Sequence, residues 1–141
     1  MSPLSYFVHP HAPNLALLAH VSPVIVVHLV FAVIAFAIGL IQLLGPKGTI
    51  LHRILGWTWV VMMATVAISS FFIHALNPKG YSIIHLLSVF VLCMLPLGVY
   101  AAKKHDVNRH GRIMTNLFIG GMVVAGIFTF FPGRLMWQMF F

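Results

Sequence analysis

The chain has 141 residues, of which 61% are hydrophobic and 6% charged, with a formal net charge of +7. Such a composition lies far outside that of soluble globular domains and places the chain, as one domain, in the membrane-embedded class. The charge does not point to nucleic acid, because the cations fall between long apolar runs and form no basic stripe on a polar surface.

Residues 1–22 hold Pro3, Pro10 and Pro13 among His9, His11 and His20 and read as an irregular, interfacial segment, with His9-Pro10-His11 a weak surface metal pair. Met1 to Ser22 contains no Lys or Arg, and no small-residue cleavage motif follows Leu44, so the first apolar run reads as a mature segment and not as a cleaved leader. That run, 23–44, is uncharged and starts on Pro23. At about 1.5 Å per residue, some 20 residues cross the hydrocarbon, so 23–44 is the first expected membrane helix.

Gly45-Pro46-Lys47-Gly48 then forces an antiparallel return into a second helix, 52–76, whose Thr58, Thr65, Ser69 and Ser70 can bond to helix carbonyls. Asn77-Pro78-Lys79-Gly80 is a turn signal, and Ser82 is placed to cap a third helix, 82–102, that carries Pro96 and Gly98. Lys103 to Arg112 reads as a polar loop around Asp106, the only acid. The fourth helix, 110–131, contains Gly120, Gly121 and Gly126, which allow close helix contact. Residues 135–141, with Trp137, read as an interfacial anchor. The expected fold is all-α, an up-and-down bundle of four transmembrane helices within residues 23–134. The single cysteine, Cys93, lies mid-run and reads as a small buried apolar residue.

Loop charge gives an orientation. Lys47, Arg53, Lys103, Lys104, Arg109 and Arg112 stand at one end of the bundle, against Lys79 and Arg134 at the other. The positive-inside rule then puts both termini on the non-cytoplasmic side.

The four expected helices each carry a histidine. His52 and His110 open helices two and four at the basic end, while His28 and His85 lie near the far ends of helices one and three. Helices one and three are diagonal in such a bundle, as are two and four, so each pair can face across the core. Paired imidazoles facing across a core are the ligand set of bis-histidine haem, and two pairs would hold two haems b, one per leaflet. The competing structural reading is that a histidine near the end of a membrane helix is an interfacial or carbonyl-bonded residue. His74 returns to nearly the same helix face as His52 and is a reserve ligand. Arg53 and Arg112 are the expected partners of haem propionates, although topology alone also explains them. Met62, Met63, Met94, Met114 and Met122 are better read as packing than as soft copper ligands. No carboxylate lies in any expected helix, which argues against a proton-coupled transporter, and no nucleophile-base-acid set argues for hydrolysis.

His28, Gly39, His52-Arg53 with Gly56, Pro78, and His85 with Gly98 resemble the core of the cytochrome b561 superfamily. Its fourth histidine would fall on His110. Over nearly the whole chain, Lys47 with His52-Arg53 and Gly56, Ser82 with His85, His110-Gly111-Arg112 with Met114, and Pro132-Gly133-Arg134 look like the bacterial predicted membrane proteins grouped as domain of unknown function 2306. The second resemblance implies a multi-pass protein of the bacterial inner membrane. The first implies a transmembrane oxidoreductase that moves electrons through haem, with quinol, ascorbate or a metal ion as partner. The alternative is a cofactor-free membrane module that binds or transports a metal or lipid-like ligand, or an anchor for a partner.

Overall fold

The computed structural model describes residues 12–75, 83–132 and 134–141. Four helices in it are long and apolar enough to cross a membrane: α1 (Pro23–Leu44), α2 (Ile50–Ala75), α3 (Ile83–Lys103) and α4 (Val107–Thr129). They run up and down, each packed on its sequence neighbour, with α4 returning to α1 to close the bundle. Among the described residues there is no strand. The chain is therefore an all-α, multi-pass membrane protein. A 3-10 turn, Leu15–His20, and a short helix, α5 (Leu135–Phe140), lie outside the spans. The Asn14 N–H donates to Met139 O at 3.0 Å and joins the two. Pro78, Lys79 and Ser82, like His9 and His11 and the His74 side chain, lie outside the described residues.

Local chemistry sets the ends of the spans. Pro23 occupies the first turn of α1, where its missing N–H costs nothing. At the other end Lys47 Nζ donates to the carbonyls of Gln42, Leu43 and Gly45 at 2.7–2.8 Å, so this cation caps the α1 C-terminus, where the helix dipole favours it. Asp106 accepts from the Arg109 N–H at 3.1 Å and caps α4. His105, at φ 57°, turns the chain in the left-handed region just before it. The polar stretch read as a loop from Lys103 to Arg112 therefore shrinks to Lys104–Asp106. The fourth helix begins at Val107, one turn before His110, because the cap lets polar residues continue the helix beyond the apolar run.

The core lies where all four helices meet: Ala35 of α1, Trp59 and Met63 of α2, Val91 and Leu95 of α3, and Leu117, Phe118 and Met122 of α4. Met63 and Met122 are thus packing residues. Cys93, expected inside, is exposed on α3. Hydrocarbon is as apolar as a protein core, so periodicity does not tell the lipid face of a membrane helix from its packed face. Ile119–Val124 of α4 form a π turn. Of the four glycines in α4, Gly121 alone is at a close contact, where a Cβ would come 3.1 Å from Val91 Cγ2 and 3.2 Å from Met63 Cε. Gly120 and Gly126 have open space around them.

The tightest crossing is at Gly39 of α1. A Cβ there would stand 2.5 Å from Phe118 Cδ2 and 2.7 Å from Trp59 Nε1, both atoms of rigid rings. Gly39→Ala should therefore lower stability by about 1–3 kcal/mol through overpacking, while Gly120→Ala, in open space, should hold or slightly raise it because alanine favours the helix. Thermal unfolding of the two variants in the same detergent checks this, and equal melting temperatures would contradict the close crossing.

Candidate functional site

The two histidines at the basic end are drawn together. Thr49 Oγ1 accepts from the His52 N–H at 3.0 Å, so His52 sits in the first turn of α2. Gln42 of α1 donates to the His52 carbonyl at 2.8 Å and ties that turn to the neighbouring helix. On α4 the His110 N–H donates to Asp106 O at 2.9 Å. Its ring Nδ1 lies 2.9 Å from Gly98 O of α3. A carbonyl can only accept, so in the neutral imidazole the proton sits on Nδ1 and Nε2 keeps its lone pair. Gly98 makes that reach available, since a Cβ there would be 2.6 Å from Met114 Cε and 3.0 Å from Ile113 Cγ2.

The His52 and His110 ring centres are 6.5 Å apart, with planes at 83°. A metal about 2 Å from each ligating nitrogen, each nitrogen about 1.1 Å from its ring centre, separates two imidazole centres by about 6.2 Å when all lie in line. The observed centre-to-centre spacing lies close to that value, and it is equally the geometry of an edge-to-face contact between two rings. The rings border a cavity of about 700 Å³ at the basic end, well within the size range of ligand sites, roughly 300–1,000 Å³. Trp59, Phe118 and Gly39 form its apolar floor, and Lys47, Arg53 and Lys103 stand on its rim. The Lys47 ammonium is engaged by the α1 carbonyls, so Arg53 and Lys103 are the cations placed to meet an anionic group. Arg112, two residues and about 200° around the helix from His110, is exposed and does not line the cavity.

Two buried nitrogens at this cavity, His52 Nδ1 and Trp59 Nε1, have no hydrogen-bond partner among the described residues. Burying such a group unpaired costs about 1–3 kcal/mol, and Trp59 Nε1 is packed against α1, 2.7 Å from where a Cβ at Gly39 would stand. Trp59 is absent from the sequence-derived site, yet its signal is there: it follows His52 by seven residues, two helical turns, with Gly56 between them on the same face.

At the far end the structure links each histidine to α2. The Ser69 hydroxyl donates to Val66 O at 2.9 Å, so its oxygen accepts from His28 Nδ1 at 2.7 Å. The His85 ring centre lies 6.0 Å from that of Phe71. Ser70 and Ser88 meet at 2.7 Å in the buried α2–α3 seam. His28 thus has a packing role available to it whether or not it is a ligand. Ser69→Ala should cost about 1–3 kcal/mol by orphaning the imidazole N–H, and Ser69→Ala with His28→Leu should recover most of that loss. Thermal unfolding of the single and double variants measures the coupling, and additive losses would remove the Ser69–His28 bond from the account.

A model of the predicted membrane proteins grouped as domain of unknown function 2306 (DUF2306) matches residues 25–139, which take in nearly all of the four spans and most of α5. No curated protein and no solved structure matches the chain. With four membrane-crossing helices and a family model over most of its length, the chain belongs to the DUF2306 family of predicted membrane proteins.

Proposed function

We propose that this protein is a small membrane b-type cytochrome that holds one haem between His52 and His110. The observation that carries the reading is the 6.5 Å separation of two imidazole centres that both border the cavity. The family description names no activity, and the likeness to cytochrome b561 proteins rests on sequence motifs alone. Bound haem would supply one-electron chemistry, and the chain supplies ligands, orientation and electrostatics. Gly98 O fixes the His110 ring and its tautomer by accepting a hydrogen bond from Nδ1–H, the usual outer-shell support of a ligating histidine. Trp59 and Phe118 keep water from the floor. Arg53 and Lys103 are placed to neutralise carboxylates at the rim.

A second haem between His28 and His85 remains the fuller form of the proposal, and the haem-to-protein ratio decides between one and two. By loop charge, the basic end faces the cytoplasm of a bacterial inner membrane and both termini face away from it. The partner is then quinol or another small-molecule electron donor or acceptor.

Visible spectra of the purified protein, oxidised and dithionite-reduced, test the reading. His52→Ala and His110→Ala should each abolish the bis-histidine signal, and Arg53→Ala should keep it with a lower midpoint potential, because a nearby cation favours the reduced state. A colourless wild-type protein after expression with haem supplied would favour the cofactor-free binding module instead. Reporter fusions after Lys104 should read cytoplasmic and fusions at the C-terminus external, and the reverse would invert the orientation.

A further inference from the structure

A second depression, of about 510 Å³, runs along the outer surface between α2 and α3. On α3 it is lined by Leu92, Leu95, Pro96, Val99, Tyr100 and Lys103, a single helix face at spacings of three and four, and on α2 by Trp57, Val60 and Ala64. From Leu92 to Lys103 is about 16 Å along the helix, which is the depth of one leaflet of a hydrocarbon core about 30 Å thick. The walls are apolar over this length and polarity appears only at the basic end. There Lys103 closes the groove, and the neighbouring Lys104 ammonium lies 5.6 Å from the centre of the Tyr100 ring. Trp57 and Tyr100, 55% and 53% exposed, flank it with ring surface that lipid can cover.

We infer that this groove is a binding site for one anionic phospholipid, with an acyl chain between α2 and α3 and its phosphate at Lys103 and Lys104. The length of the groove fits a chain and its single charged end fits a headgroup, whereas a neutral lipid-soluble ligand would leave the two lysines without a counter-charge. Ala64 leaves room for the chain on the α2 side, and Pro96 presents a short, stiff side chain on the α3 side. The inference does not need haem to be bound, although Lys103 stands at both the cavity rim and the groove end; Lys104, over the Tyr100 ring, belongs to the groove side alone. The groove and the cavity share Trp57, Val60, Val99 and Lys103 as a common wall, so the lipid would also pack against the back of the candidate site.

Native mass spectrometry of the full chain released from nanodiscs of equal phosphatidylglycerol and phosphatidylcholine, matched in acyl chains, tests this. The wild type should retain one phosphatidylglycerol in preference to phosphatidylcholine by well over fivefold, since each lysine near an anionic headgroup contributes a factor of about five. Lys103→Gln, at an exposed position, should cut that preference by about fivefold, and Ala64→Leu should lose retained lipid of both kinds while circular dichroism shows the helices intact. Equal retention of the two lipids by the wild type, or an unchanged preference in Lys103→Gln, would overturn the inference whether or not Ala64→Leu folds.

Discussion

Inside hydrocarbon there is no water to satisfy a polar group, so every hydrogen-bonding side chain on these four helices has to find its partner within the protein. Most do so at the smallest range. Thr58, Thr65 and Thr129 donate to carbonyls of the preceding helical turn. Ser69, Ser70 and Ser88 do the same and in addition link helices. His110 reaches across to a carbonyl of the adjacent helix. Against that background, among the described residues two buried nitrogens, on His52 and Trp59, lack a partner, and both residues border one cavity.

The cavity exists because the helices approach closely elsewhere. Glycine at 39 lets Trp59 and Phe118 close its floor, and glycine at 98 lets α4 come near enough for the His110 bond. Bulk at either position would move a ring that borders the site. Packing and chemistry are therefore coupled: the contacts that hold α1, α2 and α4 together also set the distance between the imidazoles. The Lys47 cap and the Asp106 cap fix the two turns above that cavity, which places the cations on its rim without long, unanchored loops.

Much of this was legible in the residues. Apolar run length gave four helices, and the short glycine-proline and aspartate turns gave their antiparallel order, because hydrocarbon thickness and chain reach leave few other solutions. One histidine per helix, sorted by end, predicted that His52 and His110 would meet. What was not legible is which face of each helix turns inward, since lipid-facing and core-facing residues are equally apolar, and Cys93 was placed on the wrong face for that reason. The early start of α4 was hidden by the polar character of Val107 to Arg112, which hydropathy assigns to a loop and the Asp106 cap assigns to a helix. Trp59 is not legible as a site residue because an indole in an apolar run has the pattern of packing, and only the structure shows its N–H without a partner among the described residues.

The central claim, that His52 and His110 bracket one metal centre, makes a demand on electronic structure as well as on composition. The two imidazole planes stand at 83°; if both rings held a ferric haem, the iron would have nearly degenerate d orbitals along the two ring directions and a strongly anisotropic low-spin state. Low-temperature electron paramagnetic resonance of the oxidised, purified protein is the most direct measurement. The account predicts a low-spin signal with a large maximal g value, abolished in His110→Ala. A high-spin signal, which would mean an axial position without an imidazole, or no haem signal in a protein expressed with haem supplied, would contradict it.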